Sequence, residues 1–123
     1  MKNAINWFEI PVTDFERAKN FYETIIGAEM PPMQAMDMKS AFFPVDLESG
    51  AIGGCIVQGD GYTPSNSGAL VYLSGGDDLN SILSKVENAG GKILLPKMGI
   101  GENGFMAHFT DTEGNKVGLH SPK

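Results

Sequence analysis

The stretch from Phe8 to Glu29, FEIPVTDFERAKNFYETIIGAE, decides the reading of this chain. From Ala4 to Val12 the residues alternate, with Phe8, Ile10 and Val12 on one side and Trp7, Glu9 and Pro11 on the other. That period of two predicts a half-buried strand. Thr13 or Asp14 then offers a cap for a helix running to about Ile26, and Gly27 stops it. Phe15, Ala18, Phe21 or Tyr22, and Ile25 or Ile26 supply its apolar stripe. Three extended stretches follow, near 28–34, 38–45 and 51–58. Pro31 and Pro32 make the first an edge or irregular strand.

The same order then returns. The segment 59–68, GDGYTPSNSG, reads as a linker. Ala69 to Ser74 is a strand, and Asp77 or Asp78 caps a helix ending at Gly90 and Gly91. Lys92 to Leu95 is extended, and a glycine-rich loop near 96–104 is expected to be mobile over a ligand mouth. A hairpin of about 105–110 and 116–121 turns through DTEGN. Adding 64 to Asp14, Phe15, Glu23 and Gly27 gives Asp78, Leu79, Glu87 and Gly91, and the same shift takes Gly50 and Gly54 to Gly114 and Gly118. For the first strands the shift is 63, matching Phe8 with Val71 and Ile10 with Leu73. The chain is a tandem repeat, with module one about 1–58 and module two about 69–123 in one domain, 1–123.

Composition narrows the function classes. The 123 residues are 41% hydrophobic and 20% charged, ordinary for a globular fold. A net charge of -6 with only nine scattered basic residues argues against nucleic acid. No apolar run approaches the roughly 20 residues of a membrane span, and MKNAINWFEIPV has no signal-peptide character. The single cysteine, Cys55, cannot form an internal disulfide, so a cytoplasmic location is expected.

The first helix region, the second-half stretch LNSILSKVENAGGKIL and the ending FTDTEGNKVGLHS together resemble the vicinal oxygen chelate superfamily. That superfamily contains glyoxalase I, extradiol dioxygenases and bleomycin-resistance proteins. The resemblance runs from Ile5 to Ser121 and implies an α+β fold. Two tandem βαβββ modules would form an open, eight-stranded, barrel-like cup with the helices outside, in a homodimer. Metal-using relatives hold the ion through the first and fourth strands of each module. Carried onto this chain, those positions are Trp7, Leu70, Gly54 and Gly118, none of which has a donor side chain. The expectation is therefore a cup with no metal site and no cofactor, a divalent metal remaining only as an alternative at displaced residues.

Alternation independently predicts what lines the cup. Trp7 and Glu9 face it from the first strand, and Met106, His108, Gly118 and His120 from the last hairpin. Opposing Thr110 to Lys116 pairs His108 with Gly118 and Met106 with His120, so the two histidines are diagonal neighbours roughly 7–8 Å apart. Glu9, His108 and His120 are the catalytic candidates, as acid, base or displaced metal ligands. They read equally as polar lining. Trp7, Gly54, Leu70, Met106 and Gly118 are the ligand-binding candidates. Trp7 offers a ring for stacking or is simply core, while the two glycines widen the floor or allow close strand packing. Met30, Met33, Met36 and Met38 suggest an adaptable rim or ordinary packing. Cys55 is expected on the helix side as an inert thiol. Neither glycine pair, at 59–61 or 99–101, sits at the strand-to-helix turn of a phosphate loop.

Three functions follow. The first is a metal-free protein that binds a small planar or apolar molecule. The second is a lyase, isomerase or dioxygenase using Glu9, His108 and His120, though not lactoylglutathione lyase. The third is a non-catalytic dimeric subunit.

Overall fold

The computed structural model describes residues 2–35 and 37–123; of the methionines singled out above, Met36 lies outside the described residues. Eight strands form two four-stranded mixed sheets. Module one contributes β1 (Trp7–Pro11), α1 (Phe15–Ile26), β2 (Pro32–Ala35), β3 (Met38–Phe42) and β4 (Gly53–Gln58), in sheet order β1-β4-β3-β2. Module two contributes β5 (Val71–Ser74), α2 (Asn80–Leu83), β6 (Lys92–Gly99), β7 (Phe105–Thr110) and β8 (Lys116–Ser121), in order β5-β8-β7-β6. In each sheet the first strand runs parallel to the last, so the chain crosses over through a helix, and the remaining pairs are antiparallel. The two βαβββ units are present and the sheets do not close into a barrel.

The first helix forms where its caps lie. The Asp14 carboxylate accepts from Arg17 N at 3.1 Å, and Gly27 takes the left-handed conformation (φ 79°) that ends the helix. Its buried face is Phe15, Ala18, Phe21, Tyr22 and Ile25. The second helix differs from expectation. Regular α-helix covers only Asn80–Leu83; its N-cap position is Leu79, not an aspartate, and the Asp78 carboxylate accepts from Asn80 N at 2.9 Å just ahead of it. Beyond it the bonds tighten, Lys85 N to Ile82 O and Val86 N to Leu83 O, and turns carry the chain to Gly91. Ser84, Asn88 and the glycine pair are poor helix formers, which leaves this segment without the propensity to continue. The expected loop from 96 is also partly strand, because β6 continues to Gly99 through two register shifts. Pro96 is accommodated there because β6 is an edge strand.

Both helices and the apolar faces of both sheets share one core. Phe21 packs its ring 6.0 Å from Phe109 of the other module, and Tyr22 packs 5.4 Å from Phe43. Beneath these rings the turn DTEGN fastens module two to module one. Tyr22 Oη donates to Asp111 Oδ2 at 2.8 Å, and Asn115 Nδ2 donates to the same oxygen at 2.9 Å and to Pro11 O at 2.7 Å. Glu113 reaches the start of α1, where it accepts from Thr13 N (2.9 Å), Asp14 N (2.7 Å) and Arg17 Nε (2.8 Å). Among the described residues, every buried side-chain polar atom has a partner.

Burial pushes the Glu113 carboxyl up, but the Arg17 guanidinium and the backbone N–H groups outweigh it and hold the pKa at about 2. A depressed carboxylate stabilises the fold above its unfolded value, about 4.3, and that contribution is lost as pH falls toward about 2. Glu113→Ala is therefore expected to cost about 1–3 kcal/mol at pH 7, because it leaves the N–H groups of Thr13 and Asp14 and the Arg17 guanidinium without their acceptor. In denaturant melts it should also flatten the pH dependence between about 4.5 and 2. An unchanged acid profile in this variant would show that the cap does not join the modules.

Candidate functional site

The register corrects the repeat inferred from sequence. Ile10 pairs with Ile56 in module one, and Leu73 pairs with Leu119 in module two. The glycine of β8, Gly118, therefore has Cys55 as its structural counterpart, and Gly54 matches Val117. Paired residues of neighbouring strands share a face. Gly54, expected in the cup, lies on the helix side opposite Phe8, while Cys55, expected on the helix side, shares the other face with Glu9. A one-residue difference between strand and glycine shifts is enough to exchange these faces.

The two glycines do not widen a floor. A Cβ on Gly54 would stand 2.4 Å from the Phe8 ring, and one on Gly118 would stand 2.5 Å from the Tyr72 ring. Each glycine is the seat of an aromatic ring from the adjacent strand. The ring covers the backbone that the missing side chain leaves bare.

On the concave face of module one, Trp7 meets Phe42 edge to face with centroids 5.4 Å apart. Trp7 is 36% exposed. A cavity of about 370 Å³ lies beside it, bounded by Pro31, Phe42, Val45, Leu47 and Gly53. The Glu9 carboxylate lies near the Tyr62 hydroxyl and raises its pKa. Burial, aided by the Glu9 charge, pushes the Cys55 thiol up to about 11, so it is protonated at neutral pH. Of the rim methionines, Met33 is exposed, Met38 is half-buried and Met30 is fully buried in the core.

On module two the hairpin register is the one predicted, Thr110 with Lys116, His108 with Gly118 and Met106 with His120. Tyr72 pairs with Gly118 from the other side, so Tyr72, Gly118 and His108 form one row across three strands. The Tyr72 ring lies along that row, and its hydroxyl sits 2.7 Å from His108 Nε2. Burial, then the Lys116 charge, lowers the His108 pKa and favours the neutral imidazole. His120 Nε2 donates to Asn103 O at 2.6 Å, beside a cavity of about 620 Å³ lined by Tyr72, Ser74, Ile100, Asn103 and Met106. Leu70 immediately precedes β5 and is half-buried.

The structure thus gathers His108, His120, Met106 and Gly118 on one face, and Trp7 and Glu9 on another. The two cavities are lined by separate modules, and neither takes a residue from the other. Tyr72, Phe42 and Tyr62 were missed from sequence. Alternation with Val71 and Leu73 already put Tyr72 on the Gly118 side, but the repeat had drawn notice to Leu70 instead. A larger cleft, about 700 Å³, is lined by polar residues including Gln34, Asp37, Gln58 and Asp60, with Tyr62 among them.

The donor set does not suit a metal. At the carried-over positions, corrected for register, stand Trp7, Leu70, Gly118 and the protonated thiol of Cys55. Among the described residues no three His, Cys, Asp or Glu side chains converge.

Comparison with known proteins agrees with this fold. Residues 5–41 match the family model described as bleomycin resistance protein-like N-terminal. The chain is 25% identical over 114 residues to CFP32 of Mycobacterium bovis and Mycobacterium tuberculosis, named as a candidate glyoxylase. That match covers 93% of this chain and 44% of the relative, so the chain spans less than half the length of the curated relatives it matches. Glyoxalase I from Zea mays superposes with a TM-score of 0.70 at 26% identity, over 95% of this chain and 45% of that one. TnmS3, an antibiotic-binding protein from Streptomyces sp. CB03234, superposes with a TM-score of 0.66 at 24% identity, over 98% and 97% of the two chains.

The glycine seats make a paired expectation. Gly54→Ala forces a Cβ into a ring held in the core and should cost about 1–3 kcal/mol in chemical denaturation. Gly118→Ala meets a ring that can swing outward, so its stability loss should be smaller. It should nevertheless release His108 from Tyr72, visible as a changed imidazole nitrogen spectrum. Equal losses with an unchanged His108 spectrum would contradict the seat argument.

Proposed function

We propose that this chain, a domain of the vicinal oxygen chelate type in sequence and fold, binds a small planar organic molecule without using a metal ion. The observation that carries the reading is the exposed Trp7–Phe42 pair beside a largely apolar cavity, where the described residues bring no three metal donors together. An exposed tryptophan edge-packed on a phenylalanine offers a large face for stacking and an N–H for orientation. Pro31, Val45 and Leu47 supply the apolar lining expected of a small-molecule site. The antibiotic-binding neighbour shares the fold, and at its level of identity lends the reading no more than a precedent.

The site is proposed to be completed by a second copy of the chain. The cavities beside Trp7 and beside Tyr72 each have walls from one module only, and Trp7, Met33, Val45 and Leu47 leave much apolar surface open. In a homodimer, the Trp7 face of one copy would meet the Tyr72 face of its partner. A binding role needs no activated nucleophile, in keeping with the protonated Cys55. It also does not require Glu9, His108 and His120 to converge within one chain. Among the described residues no helix is long and apolar enough to cross a membrane.

Trp7 is the only tryptophan, so its emission reports the site directly. A planar hydrocarbon such as 2-ethylnaphthalene should quench it saturably, and Trp7→Ala should weaken calorimetric binding about tenfold, since an aromatic pair contributes about 0.5–1.5 kcal/mol beyond area burial. Elemental analysis of the purified protein should find no stoichiometric metal, and sedimentation should give a dimer. One tightly bound metal per chain, or undiminished binding by Trp7→Ala, would overturn the reading.

A further inference from the structure

The concave face of module two consists of three cross-strand rows. Lys92, Thr110 and Lys116 form the first; Leu95, His108, Gly118 and Tyr72 form the second; Met98, Met106, His120 and Ser74 form the third. None of these residues is acidic, in a chain carrying 15 acidic against 9 basic residues. Both histidines of the chain and two of its lysines stand on this one face. These three rows carry two lysines and no carboxylate of their own, although Glu9 of β1 lines a cavity with Lys116, and the balance suits the face to negative charge.

The polar centre of that surface is Tyr72. Its residue is 45% exposed, so the hydroxyl is held from one side while the ring remains open to a ligand. A neutral imidazole can carry its proton on Nε2 and donate to the phenol oxygen. The phenol proton then has only Met106 Sδ at 3.6 Å, a weak acceptor that a ligand oxygen would displace readily. Donation by His108 also polarises the hydroxyl toward an acceptor beyond it. Gly118 makes the arrangement possible, because any side chain there would lift the ring off β8 and out of reach of His108.

We infer that this face is an anion-recognising subsite for the carboxylate, or ionised enol, of a planar conjugated ligand, with Tyr72 as the direct donor. His108 is the positioning residue that holds and polarises the phenol, and Lys116 in the next row supplies positive charge. The inference rests on the binding function proposed above and names the class of ligand that would use it. The apolar body of the ligand would lie against aromatic and methionine side chains, and its anionic group would be fixed at the Tyr72–His108 row.

The test compares 2-naphthoate with 2-ethylnaphthalene, which share a ring system and differ in the charged group. Calorimetry should show naphthoate bound at least tenfold more tightly by the native protein. Tyr72→Phe keeps the ring on its glycine seat, which circular dichroism would verify. It should weaken naphthoate about tenfold, in line with about 1.5 kcal/mol for a hydrogen bond to a charged group, and weaken 2-ethylnaphthalene far less, so that the preference for naphthoate is lost. Lys116→Gln should weaken naphthoate alone, and more so at low salt. The His108 ring nitrogens should shift on adding naphthoate to the native protein and stay fixed in Tyr72→Phe. Naphthoate binding undiminished in Tyr72→Phe would overturn the inference, as would equal affinities for the two probes, while leaving the binding reading intact. Failure of both probes to bind the native protein would overturn both.

Discussion

The turn Asp111–Asn115 is the joint on which the molecule depends. Three of its polar side chains, Asp111, Glu113 and Asn115, reach the other module or its edge. Glu113 closes the N-terminus of α1, Asp111 receives the Tyr22 hydroxyl, and Asn115 binds the carbonyl of Pro11 at the end of β1. Asn115 also accepts from Ser65 N in the linker, so the connection between modules is tied to the same residue. Buried polar groups of this sort are costly when unpaired, and here each is paired in a single geometry. The network therefore specifies how the modules meet, while the shared apolar core provides most of the driving force for their meeting.

That joint has a consequence for the site. Because the modules adhere through α1, the hairpin turn and the common core, their concave faces are left uncovered. Trp7 and Tyr72, each on an edge strand of its sheet, are both partly exposed, and the cavities beside them have no shared lining. A site of this construction has two unlike halves. One presents aromatic and apolar side chains with Glu9 and Tyr62 at its side; the other presents a neutral phenol–imidazole pair among basic residues.

Much of this was legible in the chain itself. Asp14 and Gly27 bounded α1 because caps act through local geometry, and the hairpin register followed from a period of two and the DTEGN turn. Errors arose where local signals were indirect. The long second helix was expected from its start and stop residues, but the residues between them have weak propensity. The loop expected at 96–104 hid four residues of an edge strand, since proline and glycine there permit irregular pairing as well as a loop. Equal spacing of the glycines makes Gly54 look equivalent to Gly118, whereas strand pairing gives that correspondence to Cys55.

The sequence by itself therefore determined the duplicated architecture, the caps, the hairpin and the pairing of His108 with Gly118. These features depend on periodicity and on residues a few positions apart. Tertiary structure alone decided which face each glycine serves and which ring fills it. Phe8 and Tyr72 lie 46 residues from the glycines they cover, and no local pattern reports a contact across a parallel strand pair. The absence of a donor set at the family's metal positions was read from residue types, yet one of those positions proved to belong to Cys55. The register had to be known before its chemistry could be assigned, because a shift of one residue turns a side chain from core to cup.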